Sequence, residues 1–378
     1  MNRKEVELHS ILIALVGSHA YGLNTPASDK DIRGIFMASI KYQLGIITKR
    51  IEQKDKGWNE PGIIPELDNT EDICIYEFRK MIDLLLNNNP NCLELLYIDN
   101  YILLTDAGKE LIANRDLFLS TKVKYTYSGY AYSQIKRVEN HRKWLLEPPT
   151  KKPEWLDFGL DDTSFLNHSQ INTFLEFLWL LVRDKIEYME AIEEFSEFRD
   201  LLLEKIDFKA ILKTYPLPSE TIEYVQELTR GSNDFINLLQ RSHAYLIAKR
   251  NWDNYQSWLK NRNPKRAELE RSVGYDAKHI CQCLRLLYQG IEILETGNLT
   301  VSLKNHPNYE FLKAVKAGTI PYGEVKTLAD ELFNNLDIAY AESKLPKKPN
   351  SNAINDLCVE LISKAIHPGK INVTTIKP

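Results

Sequence analysis

A pair of aspartates near the N-terminus has the spacing of a site for divalent cations and phosphate. Gly17 and Ser18 end an apolar run, and Asp29 and Asp31 follow shortly afterwards, two positions apart. Glycine lets a phosphate approach the backbone closely, and serine adds N–H and hydroxyl donors. Because side chains alternate along a strand, Asp29 and Asp31 point to one side if a strand starts there. Carboxylates so close repel each other unless a cation lies between them, and Mg²⁺ commonly joins carboxylates to substrate phosphates.

The composition is that of a soluble globular protein and argues against a membrane, fibrous or largely disordered chain. Of 378 residues, 43% are hydrophobic and 26% are charged, and the net charge is −4. No overall basic field is present, so a polyanion would need a local binding patch. The five cysteines, an odd number, do not make a disulfide framework. Since the apolar runs are too short for a signal peptide or a membrane span, we expect a cytoplasmic protein.

The first 120 residues have the pattern of a mixed α/β region. Apolar or alternating stretches predict strands over residues 11–16, 32–38 and 72–76. In the third, Ile73 and Ile75 share one face and Asp72 lies on the other. From residue 78 the apolar spacing becomes helical and stops before Pro90, after which residues 93–96 start another helix. Residues 49–69, with two glycines and two prolines, predict a loop.

After about residue 120 the pattern is mostly helical. We therefore expect an N-terminal core over residues 1–120 and a helical region over residues 121–378. The individual helices are predicted over residues 124–146, 170–190, 191–205, 219–228, 234–249, 254–259, 276–296 and 353–365. The basic, proline-bearing stretch 149–153 predicts a surface linker.

The stretch from Gly17 to Asp31 resembles a known signature. It fits Gly-Ser-x3-Gly-x5-Ser-Asp-x-Asp, the motif of the polymerase-β-like nucleotidyltransferase superfamily. The longer sequence around this motif is similar to that of a narrower group, the predicted nucleotidyltransferases of bacteria and phages that are associated with an RNA ligase. Shorter blocks with the same similarity read Asn-Pro-Asn-Cys-Leu-Glu-Leu-Leu over residues 89–96, Gly-Tyr-Asp-Ala-Lys-His over 274–279 and Arg-Leu-Leu over 285–287.

This resemblance implies a fold and a metal site. The implied fold class is α+β, in which a polymerase-β-like core of mixed sheet and helices precedes a mainly α-helical domain that completes the cleft. Gly17 and Ser18 would hold the β- and γ-phosphates of a nucleoside triphosphate. Asp29 and Asp31 would bind two Mg²⁺ ions, with Mn²⁺ as the alternative metal.

A third carboxylate is also implied, on a later strand beside the first two. It would ligate the catalytic metal and help to deprotonate the acceptor hydroxyl. Asp72 is our choice, because its alternation puts it opposite the apolar, helix-packed face, and Glu71 and Glu77 are the alternatives. In such two-metal chemistry the ions clamp the attacking oxygen and the leaving pyrophosphate in line across the α-phosphorus.

Several cations and one serine complete the nucleotide contacts that the resemblance implies. They are Ser28, Arg33, Lys278, His279 and Arg285. In the helix that begins near residue 276, Lys278, Gln282 and Arg285 recur at helical spacing and form a polar stripe. The neighbouring sequence His279-x-Cys281-x-Cys283 does not have the spacing of a standard zinc site.

The predicted reaction is transfer of a nucleotide from a triphosphate to an acceptor hydroxyl, with release of pyrophosphate. An RNA or tRNA end is the acceptor that the family association suggests. AMPylation of a protein, a small-molecule acceptor and a non-catalytic nucleotide-binding module are the alternatives. Basic and aromatic residues interleave over 127–144, as they do on surfaces that bind single strands, although aromatics at this spacing more often pack inside.

Overall fold

The chain folds into two compact units in the computed structural model. One unit comprises Met1–Leu146 and Glu268–Pro378, and the other comprises Glu147–Ala267. The residues that the structure describes are 1–26, 28–44, 52–56, 58–68, 70, 72–161, 167, 169, 233–262 and 264–366. Within these ranges, no helix combines the length and the apolar character that crossing a membrane requires.

A five-stranded mixed sheet forms the N-terminal part of the first unit. The strands are β1 (Ser10–Val16), β2 (Asp31–Phe36), β3 (Gln53–Lys54), β4 (Asp72–Glu77) and β5 (Tyr101–Leu104). Their order across the sheet is β3-β4-β2-β1-β5. Strands β2 and β4 are parallel, and the other neighbours are antiparallel. A mixed sheet with helices, followed by a helical region, confirms the predicted α+β fold class.

The described residues also form helices, of which the eighth lies in the second unit and the ninth begins there. They are α1 (Arg3–Leu8), α2 (Gly17–Ala20), α3 (Ile40–Leu44), α4 (Phe78–Leu86), α5 (Pro90–Leu95), α6 (Asp106–Ala113), α7 (Val123–Leu146), α8 (Asn233–Asn261), α9 (Pro264–Val273), α10 (Ala277–Thr296), α11 (Tyr309–Lys316), α12 (Tyr322–Glu342) and α13 (Ser351–Ile366). Short 3₁₀ helices cover Pro65–Leu67, Arg115–Phe118 and Trp155–Phe158. The amphipathic helix α10 packs against α7, α11 and α12.

The second unit is described over its two ends. Its 3₁₀ helix Trp155–Phe158 packs against α8. The rings of Phe158 and Tyr245 lie 5.7 Å apart in an edge-to-face arrangement, a geometry that aromatic pairs favour. Arg241 donates to the carbonyl of Gly159 at 3.4 Å, so a polar contact supplements the apolar one.

The two faces of the sheet belong to different apolar clusters. Ile73 and Ile75 lie in the smaller cluster, which contains Val6 of α1 and Trp58. On the other face, Ile35 belongs to the large cluster that α4, α5, α7 and α10–α13 share. Alternation places the carboxylates of β2 and β4 on this second face. The expectation that the helices pack mainly opposite Asp72 is therefore wrong, although the alternation itself is confirmed.

Three separate parts of the chain meet at one edge of the sheet. Val16, at the end of β1, pairs with Asp31 at the start of β2. Asp31 in turn pairs with Asp72 at the start of the parallel strand β4. Since neighbouring strands lie only about 4.8 Å apart, the register brings two carboxylates and the residue after β1, Gly17, into one small region.

A buried ion pair ties the helices to this edge. Arg285 of α10 donates to the carboxylate of Glu94 on α5 and, at 2.6 Å, to the side-chain oxygen of Gln289. Tyr21, in the loop after β1, donates its hydroxyl to Glu94 at 2.6 Å. The Arg285 guanidinium carbon lies 4.0 Å from the centre of the Tyr21 ring. Only 2% of the Arg285 side chain and 6% of the Glu94 side chain are exposed, so neither charge can rely on water.

Most elements predicted within the described residues are present, with two differences. The predicted helices 234–249 and 254–259 form one continuous helix, α8, and the predicted loop 49–69 contains the short strand β3. No individual prediction covers strand β5 or helices α1, α2, α3, α6, α9, α11 and α12. The helices predicted over 170–190, 191–205 and 219–228 lie outside the described residues.

The Glu94–Arg285 pair yields a stability prediction. Glu94→Gln leaves the buried guanidinium without its carboxylate, so we expect a loss of about 3–5 kcal/mol in the free energy of unfolding. The double variant Glu94→Leu with Arg285→Met buries no charge and should recover much of that loss. Urea unfolding followed by circular dichroism measures both.

Glu110→Gln is the matched control, because Glu110 pairs with Lys364 at the surface, at 2.9 Å. Breaking such an exposed pair costs at most about 1 kcal/mol. A Glu94→Gln variant no less stable than this control, or a double variant that loses the sum of the single losses, would contradict the assignment.

Candidate active site

The predicted site residues, except His279, surround one cavity of about 510 Å³. It opens at the sheet edge where β1 ends and where β2 and β4 begin. The predicted residues that line it are Gly17, Ser18, Ser28, Asp29, Asp31, Arg33, Asp72, Lys278 and Arg285. The cavity thus brings together residues of α2, the loop after it, strands β2 and β4, and α10, which are far apart in sequence.

Gly17 is required by the close approach of Asp31. Its φ of +63° lies in the left-handed region, and a Cβ built on it would lie 2.5 Å from Oδ2 of Asp31. No other residue type fits there without displacing the carboxylate. Gly17, Ser18 and Asp31 all line the cavity.

The loop after Gly17 is held by C-terminal segments of the same unit. Tyr309 donates its hydroxyl to the Gly22 carbonyl at 2.8 Å. The backbone N–H of Leu303 donates to the Tyr21 carbonyl at 3.1 Å. Gly22, with a φ of +71°, leaves room for the aliphatic chain of Lys304. These contacts, with the hydrogen bond from Tyr21 to Glu94, fix the path of the loop.

Ser28 and Asp29 reach the cavity from a tight turn. The Ser28 hydroxyl accepts a hydrogen bond from the backbone N–H of Thr25 at 2.8 Å, and the N–H of Ser28 donates to the Thr25 carbonyl at 2.9 Å. The Ser28 side chain therefore shapes the turn as well as lining the cavity. Asp29, directly after it, is exposed to the cavity opening.

Asp31 and Asp72 form a pair of carboxyl groups that repel each other when both are ionised. Burial raises the pKa of Asp31, and the charge of Asp72 and a hydrogen bond with it raise that pKa further, while Arg33 and Lys278 act in the opposite direction. The hydrogen bond from Arg33, at 2.9 Å, lowers the pKa of Asp72 against the smaller effect of its burial. Asp31 is thus the member of the pair whose ionised form the fold disfavours.

The alternatives for the third carboxylate are placed differently. Glu77 is buried and caps α4, because its carboxylate accepts from the backbone N–H groups of Arg79 and Lys80 at 3.0 and 3.4 Å. It does not line the cavity. Glu71 lies outside the described residues. Among the three, Asp72 is the carboxylate that the structure places beside Asp31.

Two lysines supply positive charge to the cavity. Lys278, in the first turn of α10, is exposed and acts electrostatically on both Asp31 and Asp72. Lys316, at the end of α11, is half-buried, and burial lowers its pKa, as does the charge of Lys278. Two positive charges in a partly buried cavity favour the binding of an anion, and a polyphosphate is such an anion.

Arg285 and His279 differ in their surroundings from the other predicted nucleotide contacts. Arg285 lies at the cavity wall, but Glu94 already balances its charge. Burial alone would lower the pKa of Arg285, and the Glu94 carboxylate raises it well above its usual range. His279 does not line the cavity; its Nδ1 lies 2.7 Å from the side-chain oxygen of Gln134.

Sequence reasoning missed Lys316 as a site residue and assigned no role to Tyr21 or Glu94. No sequence pattern indicates that Lys316 lies near Gly17 and Ser18, because the packing of distant segments brings them to the same cavity. Glu94, by contrast, carries a signal in the sequence, since a charged residue within the apolar run 92–98 needs a partner.

The interleaved basic and aromatic stretch 127–144 lies in α7 and divides into two faces. Tyr127 and Trp144 are buried, as the packing interpretation predicts. Tyr130 lines the cavity and accepts a hydrogen bond from Gln282 at 2.9 Å. Tyr132 is 55% exposed, and the Lys136 ammonium lies 5.3 Å from the centre of its ring.

The donor set of Asp29, Asp31 and Asp72 fits hard divalent cations such as Mg²⁺ or Mn²⁺. These ions take oxygen ligands and retain several waters, so the protein need not supply a complete cage. The three carboxylates are not gathered around one point; among the described residues, the group whose ligand atoms lie within 4.8 Å of one another is His141, Glu270 and Asp276. Arg33 binds one oxygen of Asp72, Oδ1, at 2.9 Å.

Comparisons with known proteins support the resemblance on which the predicted site rests. Residues 2–152 match the model of the RNA repair pathway DNA polymerase beta family. The match confirms the resemblance to polymerase-β-like nucleotidyltransferases associated with RNA repair. Over 349 residues the chain is 23% identical to the "uncharacterized 38.9 kDa protein in nrdC-mobD intergenic region" of Enterobacteria phage T4, covering 89% of this chain and 91% of that protein. No solved structure gives a significant match.

The raised pKa of Asp31 yields a stability prediction. A carboxyl group whose pKa is raised by folding destabilises the folded state when it is ionised, so Asp31→Asn should stabilise the metal-free protein at pH 7. The gain should shrink as the pH falls through that raised pKa, because Asp31 of the unsubstituted protein then takes up a proton. About 1 kcal/mol corresponds to a rise of roughly 2–4 °C in melting temperature for domains of about 150–250 residues.

Thermal unfolding in the presence of a chelator, at neutral and at acidic pH, measures this gain. Asp330→Asn is the control, since Asp330 pairs with Lys326 on the exposed surface of α12. An Asp31→Asn variant that melts below both the unsubstituted protein and the control would contradict the electrostatic account.

Proposed function

We propose that this protein transfers a nucleotide from a nucleoside triphosphate to an acceptor hydroxyl and releases pyrophosphate. The observation that carries the proposal is the convergence of Gly17, Ser18 and the carboxylates of Asp29, Asp31 and Asp72 on one cavity. A family match that names RNA repair and polymerase β supports it independently.

We assign a role to each group of cavity residues from its charge. The left-handed Gly17 and the hydroxyl of Ser18 would meet the β- and γ-phosphates, and a side chain at position 17 would instead clash with Asp31. Lys278 and Lys316 would neutralise the remaining phosphate charge. Divalent ions, which polymerase-β-like enzymes generally use, supply charge neutralisation and hold attacking and leaving oxygens in line.

The proton of the acceptor hydroxyl would pass to Asp72, the third carboxylate, while Asp29 and Asp31 would hold the metal ions. Arg33 would keep Asp72 ionised and oriented through their 2.9 Å contact. Glu94 and Arg285 are positioning residues in this scheme, because they act through Tyr21 on the loop.

An RNA or tRNA end is the acceptor that we propose. The name of the matched family favours it, and the exposed Tyr132 with Lys136 offers a stacking surface with positive charge. Protein AMPylation, a small-molecule acceptor and binding without turnover are the competing outcomes. Five free cysteines fit a reducing compartment, so we place the reaction in the cytoplasm.

The test is transfer of label from each α-labelled triphosphate to RNA, to polypeptide or to small molecules in the presence of Mg²⁺. We expect label on RNA, and we expect Asp31→Asn to reduce the rate at least about 100-fold, as removal of a group that stabilises developing charge does. Circular dichroism checks that the variant is folded.

Asp330→Asn again serves as the control and should retain full activity. Label on polypeptide or on small molecules alone would reassign the acceptor. An Asp31→Asn variant as active as the control would refute the site. Nucleotide binding without transfer to any acceptor would favour the binding module.

A further inference from the structure

Lys316, at the end of α11, is held against the loop that follows β1. Its Nζ donates to the carbonyl of Leu23 at 2.5 Å. The backbone N–H of Leu23 in turn donates to the carbonyl of Ser18 at 2.9 Å. A single residue therefore separates the ammonium group from Ser18 in this chain of hydrogen bonds, and all three residues line the same cavity.

The ammonium group of Lys316 retains the capacity to bind an anion. It can donate three hydrogen bonds, and the bond to Leu23 uses one of them. Within the described part of the chain, the titratable groups that act on Lys316 are the thiol of Cys281 and the ammonium of Lys278, both on α10, and neither is a carboxylate. The remaining N–H groups can therefore donate to a phosphate in the cavity.

Lys278 and Lys316 act on different parts of this cavity. Lys278 acts electrostatically on Asp31 and Asp72, two of the proposed metal ligands. Lys316 contacts the loop after β1, and in the proposed function this loop meets the β- and γ-phosphates. These two phosphates leave together as pyrophosphate, so Lys316 lies on the side of the leaving group.

A leaving pyrophosphate gains negative charge on the oxygen that joined it to the α-phosphorus. Proton transfer by a positioned side chain typically contributes roughly 10²–10⁴-fold to a rate, and it is most effective when the pKa of the donor lies near the working pH. Burial lowers the pKa of Lys316 in that direction; the Cys281 thiol opposes this effect, and the charge of Lys278 adds to it. Position and acidity thus agree.

We propose that Lys316 is the general acid of the reaction. Its Nζ gives a proton to the oxygen between the α- and β-phosphorus atoms while the bond from that oxygen to the α-phosphorus breaks and the acceptor oxygen forms the new bond. Pyrophosphate leaves with this proton, and the neutral amine of Lys316 then takes a proton from water. The inference rests on the proposed function, in which the proton of the acceptor passes to Asp72.

Two triphosphate analogues separate proton donation from the effect of charge. A difluoromethylene group between the β- and γ-phosphorus atoms makes the leaving group less basic than a methylene group does, so departure depends less on an acid. We expect Lys316→Met to lower the single-turnover rate of label transfer at least about 100-fold with the methylene analogue, and by a factor about ten times smaller with the difluoromethylene analogue.

Lys316→Arg keeps the positive charge but is a far weaker acid, since the pKa of arginine exceeds about 12. We expect this variant to bind triphosphate with an affinity within about threefold of that of the unsubstituted protein, yet to transfer label at least about tenfold more slowly. Equilibrium binding and single-turnover kinetics measure the two quantities separately.

The dependence of the rate on pH gives an independent readout. In the unsubstituted protein the single-turnover rate should fall at alkaline pH as Lys316 loses its proton, and this fall should be absent from Lys316→Arg. Lys278→Met should move the fall to higher pH, because the charge of Lys278 lowers the pKa of Lys316. Burial raises the pKa of Cys281 to about 11, and Cys281→Ala should leave the fall in place.

Lys313→Met is the matched control. Lys313 lies on α11 as well but pairs with Glu310 at the surface, at 3.1 Å, so its loss should change neither the rate nor the preference between the analogues. Circular dichroism checks that each variant is folded. If Lys316→Met is unfolded, Lys316→Arg and its pH profile decide.

Three results would overturn the proposal. Equal losses with the two analogues in a folded Lys316→Met variant would make Lys316 a charge that binds phosphate and donates no proton. Full activity of Lys316→Arg, with the alkaline fall retained, would have the same meaning. An unsubstituted protein that transfers no label to any acceptor would refute the proposed function together with this inference, whereas the first two results would leave the proposed function intact.

Discussion

The candidate site depends on one electrostatic constraint, the in-register pairing of Asp31 and Asp72 on parallel strands. Backbone hydrogen bonds fix this register, so the carboxyl groups cannot separate without disrupting the sheet. Their repulsion is offset on one side by Arg33, which binds Asp72, while burial leaves Asp31 with a raised pKa. A bound cation would favour the ionised form of Asp31, and this links the fold to the proposed chemistry.

The second requirement is that the loop after β1 keeps one path. Gly17 can approach Asp31 only because it lacks a Cβ, and the loop beyond it is tied down at Tyr21. Glu94 joins Tyr21 to Arg285, so the helices hold the loop through a buried network. Such a network contributes little net stability compared with apolar packing, but a missing partner is costly. Its value here is the position it gives to the loop.

The sequence predicts the local features well and the long-range ones poorly. The spacing of Gly17, Asp29 and Asp31 is sufficient to indicate a phosphate and cation site, because those residues are close along the chain. The alternation correctly separates Asp72 from Ile73 and Ile75, but only the strand register shows that it pairs with Asp31. The contribution of Lys316 depends on how α11 packs, and no local pattern contains that information. The continuous helix α8 shows that a weak apolar period does not mark a break.

The most direct measurement is anomalous diffraction from crystals grown with Mn²⁺ and a non-hydrolysable nucleoside triphosphate. The account predicts two Mn²⁺ peaks about 3.5–4 Å apart, bound by Asp29, Asp31 and Asp72, with the triphosphate against Gly17 and Ser18 and with Arg33 moved from Asp72. A nucleotide bound elsewhere, with no peak beside Asp31 and the Arg33–Asp72 pair intact, would contradict it.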